Sequence, residues 1–473
     1  MPTTDTGRVD DEQTPLLASP STEAQEPQPT PLPKLQVGVV LFLQLCEPIT
    51  GFSIYPYINE LVSKLDIVGG DQRKVGYYAG LIESLFFATE ALTVLQWGRL
   101  SDYIGRKPVL LTGLIGSSIS MLCFGLSKTF WTLVISRCLC GLLNGNIGVM
   151  KSVMGELTDS SNRAKAVALM PVVWSTGASL GPLLGGALSN PHKRLPTVFR
   201  APFWEEHPYF LSCSAASSFV FVAIIITAVF FKETLPRRKQ GTSSSNTTSS
   251  DAPPPIREIL VWPVIISVAN YVALAFLEIM LNSLLPLFLA MPVEIGGLGF
   301  SPPTIGYLWG GYAAATGLYN ILFFAWILRR LGEKRVFATG IILFVPVFIL
   351  MPAMNMCARV WGVGALVWSL VILEFFIMIV KNMAYGSMFI YVTASAPNKR
   401  SLGATNGLSQ MAVSVSRAIG PALSTSLFSY SVQNNFLGGY GVYLLMIMFS
   451  LLAAVIASFL PMRAWEEKEV SSE

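Results

Sequence analysis

Eight ionisable residues fall inside long apolar stretches of this chain: Glu47, Glu83, Glu90, Arg137, Glu278, Glu374, Lys381 and Arg417. A charge in hydrocarbon costs roughly 3 kcal/mol or more, so such groups face a cavity or another helix and mark paths for protons or charged solutes. Glu47 sits in Leu45-Cys46-Glu47-Pro48-Ile49-Thr50-Gly51. Pro48 removes a backbone donor and Gly51 loosens the next turn. A carboxylate beside a weakened helix suits a proton carrier or a substrate anchor; the alternative is a static partner for a buried arginine. Arg137 opens Arg137-x-x-x-Gly141-x-x-x-Gly145, whose glycines share one helix face and let a neighbour approach. It is expected to approach Glu47. Lys381 and Arg417 either neutralise an anionic solute or pair with Glu374 or Glu278, and the sequence leaves that choice open.

Long apolar elements must hold these groups. The chain has 473 residues, 52% hydrophobic and 13% charged, where soluble domains carry about 25% charge. Crossing a bilayer takes about 20 apolar residues. Twelve segments qualify: 36–58, 75–97, 109–127, 130–150, 165–188, 208–231, 261–290, 304–328, 335–353, 361–395, 403–430 and 440–461. A Ser-, Thr- and Pro-rich stretch after the sixth has linker composition. The expected fold is therefore an all-α membrane protein of twelve transmembrane helices in two six-helix halves. Its parts are a disordered tail at 1–34, one bundle at 35–231, a cytoplasmic linker at 232–260, a second bundle at 261–462 and a tail at 463–473. No positive stretch precedes an apolar one at the amino end, so the first span is expected to direct insertion. Of the 32 Lys and Arg, 21 lie on one side of this arrangement and 8 on the other, with Arg137, Lys381 and Arg417 inside spans. That bias places both termini in the cytoplasm.

The same counts exclude other classes. A net charge of +4 with no basic stripe argues against nucleic acid as a partner. Six cysteines lack zinc or disulfide spacing, and the two histidines share one loop. No metal site, no cofactor and no nucleophile–base set is legible, so no enzyme is expected.

Between the second and third spans lies Gly98-Arg99-Leu100-Ser101-Asp102-Tyr103-Ile104-Gly105-Arg106-Lys107. It suits a short hairpin at one water interface. Asp102 can accept from a helix N-terminus, and Arg106 and Lys107 can pair with Glu156 or Asp159 as a conformational latch. A second copy, Arg329-Arg330-Leu331-Gly332-Glu333-Lys334, follows 227 residues later, counted from Gly105 to Gly332, without the aspartate. Gly181-Pro182 is likewise echoed by Gly420-Pro421, 239 residues on. Gly177-x-x-x-Gly181-Pro182-x-x-Gly185-Gly186 gives the fifth span a flat small-residue face. Trp97, Trp174, Tyr271, Trp309, Tyr312 and Tyr385 are candidate pocket liners. Glu12-Gln13-Thr14-Pro15-Leu16-Leu17 resembles an acidic dileucine sorting signal.

The hairpin pattern G-R-L-S-D-x-x-G-R-K resembles the loop signature of the major facilitator superfamily. Arg137 resembles its fourth-span motif, linked to proton transfer, and the G-x-x-x-G-P-x-x-G-G string resembles the signature of its proton-antiport branch. Cys46-Glu47-Pro48-Ile49-Thr50, Tyr55-Pro56-Tyr57-Ile58, Gly76-Tyr77-Tyr78-Ala79-Gly80, His207-Pro208-Tyr209-Phe210-Leu211, Lys232-Glu233-Thr234-Leu235-Pro236 and Ser416-Arg417-Ala418-Ile419-Gly420-Pro421 together resemble the zinc-induced facilitator-like branch of plants and fungi, over about residues 35–462. Two departures stand out. Cys46 directly precedes Glu47 where plant members tend to have Cys-Pro-Glu, and the central loop is not histidine-rich; both weaken a zinc-chelate reading. The resemblance implies a monomeric, proton-coupled antiporter that exports small organic molecules (drugs, natural products or metabolites) across the plasma or vacuolar membrane by alternating access. Proton symport or facilitated uptake, and a non-transporting sensor with the same fold, are the alternatives.

Overall fold

The computed structural model describes residues 30–158, 162–234, 260–397 and 402–465. Twelve long helical columns account for most of them. The first half holds α1 (Lys34–Ser53), α2 (Val75–Ile104), α3 (Arg106–Leu126), α4 (Phe130–Leu157), α5 (Arg163–Ala187) and α6 (Phe210–Phe230). The second holds α7 (Trp262–Ala290), α8 (Pro302–Leu331), α9 (Glu333–Trp361), α10 (Ala365–Ala394), α11 (Leu402–Gln433) and α12 (Gly441–Ser458). Nine columns are long and apolar enough to cross a membrane, and α2, bent by 44° between Val94 and Gln96, is a tenth. The remaining two, α5 and α11, are long but diluted by Gly, Ser and Thr. The dilution has a packing reason: α5 lies against α8 and α11 against α2, the two broad contacts between halves. Outward faces carry apolar residues such as Ile119, Ile135, Phe221, Leu322 and Phe376, as lipid contact requires.

The hairpin is shorter than the sequence suggests. Helix α2 continues through Gly98 and Asp102 to Ile104, α3 begins at Arg106, and Gly105 alone makes the turn. Its φ of +109° is open to glycine and strained for other residues. Gly332 repeats this between α8 and α9 with φ +78°, which bears out the internal repeat at these two glycines. Both α4 and α10 are interrupted near mid-length by an asparagine: α4 at Asn144–Gly145 and α10 at Asn382.

The core divides unequally. One apolar cluster joins Ile49, Tyr57, Val75 and Leu133 of the first half to Leu284, Phe288, Ile305 and most of the second half. A separate cluster of Val40, Leu43, Leu110, Val149 and Val220 belongs to the first half alone, at the Gly105 end. The halves are thus clasped at the end opposite Gly105. Close backbone approach there confirms it. A Cβ on Gly186 would stand 2.6 Å from the Pro302 carbonyl, and one on Gly76 2.4 Å from the Thr425 carbonyl. Hydrogen bonds from Ser179 Oγ to the Gly310 carbonyl (2.7 Å) and from the Ala422 amide to Ser84 Oγ (2.9 Å) also cross between halves.

Candidate functional site

Glu47 stands on α1 with Pro48 behind it, so the carbonyl of Gln44 loses its usual helical donor. Its electrostatic neighbours are Glu90 of α2, Arg417 of α11 and Lys151 of α4, with Asn144 beside them. Asn144 Nδ2 donates to Glu90 Oε1 at 3.0 Å. Glu47 Oε2 is enclosed yet has no hydrogen-bond partner. Glu47, Glu90 and Arg417 are partly exposed and Lys151 is exposed, although all four lie on membrane helices. Among the described residues neither Arg417 nor Lys151 comes within ion-pair distance of a carboxylate. Two acids and two cations therefore face one another between the helices with no ion pair among them. That arrangement leaves room for a solute or protons to rebalance the charge.

Arg137 takes a different place from the one expected. It is buried, stacked 4.8 Å from the Phe86 ring centroid and 5.7 Å from that of Phe124, and acts on Glu83 rather than on Glu47. The cations facing Glu47 are Arg417, contributed by the other half, and Lys151. The open choice at Lys381 is resolved too: its Nζ is bonded to Glu278, and both are buried. Glu374 stays apart, with Oε1 unpartnered and buried.

The two halves repeat this polar framework with one change. Glu47, Glu90 and Asn144 correspond in repeat spacing to Glu278, Asn320 and Asn382, between the intervals of the two glycine pairs. Asn320 Nδ2 bonds Asn382 Oδ1 at 3.1 Å, as Asn144 bonds Glu90. In the second half Lys381 neutralises the carboxylate by direct contact. In the first half Leu143 stands where the second has Lys381, and Glu90 where it has Asn320.

An aromatic series crosses between halves nearby. Ring centroids lie 6.3 Å apart for Trp174–Phe52, 5.3 Å for Phe52–Tyr55, 6.4 Å for Tyr55–Trp309 and 5.8 Å for Trp309–Tyr312. Phe52, Trp174 and Tyr312 keep partial exposure, and Tyr312 and Tyr385 stand near Glu278. Tyr271 is buried and accepts from Gln410. Trp97 serves otherwise: its Nε1 donates to the Leu142 carbonyl at 2.7 Å and its ring fills the space beside Gly145, bracing the break in α4.

At the Gly105 end, Arg106 is buried and joins Asp102 Oδ1 (2.5 Å) and Glu156 Oε1 (2.8 Å). Lys107 instead donates to the Ala228 carbonyl of α6 at 2.8 Å. The amides of Arg106 and Lys107 donate to the Glu233 carboxylate at 2.8 and 3.0 Å, capping α3 at its positive end. A Cβ on Gly98 would meet nothing within 4 Å. Asp159 and Glu12–Leu17 lie outside the described residues. In α5, Gly177, Gly181 and Gly185 face Pro48, Ile49 and Ser53 of α1, while Gly186 faces Pro302 and Gly306 of α8. The Pro182 carbonyl also meets Gly306.

Sequence reasoning missed Lys151, Asn144 and Glu233. Lys151 lies just past the fourth apolar segment, which ends at 150, but the helix runs on to Leu157. The paired Asn144 and Asn382 were a usable repeat signal.

Two six-helix halves with charged residues between them are the architecture of a membrane transporter. The family model described as Major Facilitator Superfamily matches residues 40–295, and the chain belongs to that superfamily. It is 32% identical to the major facilitator-type transporter psiT2 of Psilocybe cyanescens, over 93% of this chain and 92% of that one. It is 29% identical to the efflux pump azaK of Aspergillus niger (96% and 95% covered) and 26% identical to Protein ZINC INDUCED FACILITATOR-LIKE 1 of Arabidopsis thaliana (91% and 92%). Its fold matches a bacterial homologue of the human lysosomal transporter Spinster, in an inward-facing, unoccupied state, with TM-score 0.69 at 16% identity over 90% and 97% of the two chains. The relatives and folds are transporters, not enzymes.

Proposed function

We propose that this chain is a proton-coupled antiporter that exports small organic molecules from the cytosol. The observation that carries the reading is the Glu47–Glu90 pair facing Arg417 of the opposite half without contact. A proton or a cationic solute bound at either carboxylate would lower the negative charge that faces Arg417. When protonated they release Arg417; when ionised they hold it or a solute. Proton occupancy thereby biases how the halves sit. The Gly105 end carries the basic loops and is the cytoplasmic end in this reading. Similarity to an efflux pump supports export.

Purified protein in proteoliposomes tests this. An imposed pH gradient should drive accumulation of organic cations, amino-acid derivatives or chelators against their gradient, and a protonophore should abolish it. Flux indifferent to the pH gradient would make the chain a facilitator.

A further inference from the structure

Beyond its break, α4 carries Asn144, Gly148, Lys151 and Gly155 along one face, three or four residues apart. A Cβ on Gly148 or Gly155 would meet nothing within 4 Å, whereas Gly141 and Gly145 are pressed against α2. Lys151 is exposed, and the charges that act on it are Arg417 of α11 and Glu47 of α1. This face therefore looks into the space between the halves and not out to lipid. Its one charge, Lys151, stands two turns from Asn144 toward the Gly105 end. Among the described residues it makes no ion pair.

The second half repeats this face with a different group at its end. The interval of 238 residues from Asn144 to Asn382 also carries Gly148 onto Gly386 and Lys151 onto Phe389. Phe389 is 50% exposed, with its ring 5.7 Å from that of Tyr271 on α7. A cation on α4 is thus matched by an aromatic ring on α10. The charges have an order as well. When all are ionised, Glu47 and Glu90 with Arg417 leave one negative charge near Asn144, and Lys151 leaves one positive charge two turns away.

We propose that the solute is an aromatic zwitterion, with its amine held by Glu47 and Glu90, its acidic group by Lys151 and its ring against Phe389. The proposal rests on the antiport reading above and names the solute class for that site. A solute with both charges leaves neither pole uncompensated when it displaces water, whereas an amine alone leaves Lys151 without a partner. A lysine–carboxylate bond is charge-assisted and so among the stronger polar contacts available. Two helical turns span about 10 Å, which a ring with a group at each end can bridge given the length of a lysine side chain. The amine competes with protons for the two carboxylates, as exchange requires. Lys151 adds affinity that protons do not contest, and Phe389 adds ring contact.

Binding to the full chain in nanodiscs, read as the ligand-dependent rise in unfolding temperature, tests this. Three probes are compared: 4-(aminomethyl)benzoate, 4-methylbenzylamine, which lacks the acid, and trans-4-(aminomethyl)cyclohexanecarboxylate, which lacks the aromatic ring. The wild-type protein should bind the first about tenfold tighter than the second. Lys151→Met should bring the zwitterion down to the affinity of the amine, while the amine binds as well as before or better; Lys151→Arg should keep the preference. Phe389→Leu should remove the advantage of the benzoate over the cyclohexane analogue. A wild-type protein that binds zwitterion and amine alike overturns the proposal. So does a Lys151→Met protein that keeps the tenfold preference or loses both probes equally, and so does a Phe389→Leu protein that keeps the ring preference. Binding is read without a gradient, so a failure here is separable from a failure of proton-driven export.

Discussion

Lys381 and Glu278 touch, while Glu47 and Glu90 meet no cation at contact distance. The difference sets what each group is for. A buried ion pair with no freedom is structural, and breaking it by removing one partner costs about 3–5 kcal/mol. We therefore expect Lys381→Met to lower thermal stability in detergent markedly, and the double variant Glu278→Gln/Lys381→Met to recover most of the loss. A double-mutant cycle by thermal unfolding reads this directly. If the two losses simply add, the pair is not acting as a unit. The candidate acids themselves were legible, because an acid in an apolar run is costly and conspicuous. Their partners were not. Arg137 is expected from the sequence to approach Glu47, yet α4 turns it toward Phe86 and Glu83. Partner choice depends on helix rotation, which apolar spacing leaves undefined when a helix is greasy all round.

At the scale of elements, α5 shows how small residues set geometry. A Cβ on Gly185 would lie 1.8 Å from the Ser53 carbonyl, and one on Gly186 2.6 Å from Pro302 and 2.9 Å from Gly306. Gly185 faces its own half and Gly186 the other, so adjacent substitutions separate folding from motion. Gly185→Ala should lower yield and thermal stability, since rigid backbone cannot yield as a side chain can. Gly186→Ala should leave the protein folded but wedge the clasp, slowing the return to the state open at the Gly105 end. Expression by fluorescence-detected size exclusion, beside an energy-transfer distance between labels at exposed Lys128 and Val363 of opposite halves, distinguishes the two. Equal effects on yield would deny the separation. The element count and the glycine repeat were readable from the sequence, whereas the turn was drawn too long. Gly98 to Asp102 look polar enough for a loop, but α2 extends past the apolar run and leaves Gly105 as the whole turn.

At the scale of the molecule, the repeated framework is symmetric in position and asymmetric in charge. One half holds its carboxylate with its own lysine; the other leaves two carboxylates to an arginine across the cleft. In the proposed mechanism that asymmetry lets proton occupancy bear on the contact between halves. Helix α2 carries both Glu83, buried at the clasped end, and Glu90, partly exposed beside Glu47. The direct test is proton movement during transport. A pH-sensitive dye trapped in proteoliposomes should report protons moving opposite to solute in the wild-type protein. In Glu47→Gln, solute-for-solute exchange should persist while coupled proton movement is lost. Undiminished proton countermovement in Glu47→Gln would contradict the account at its centre.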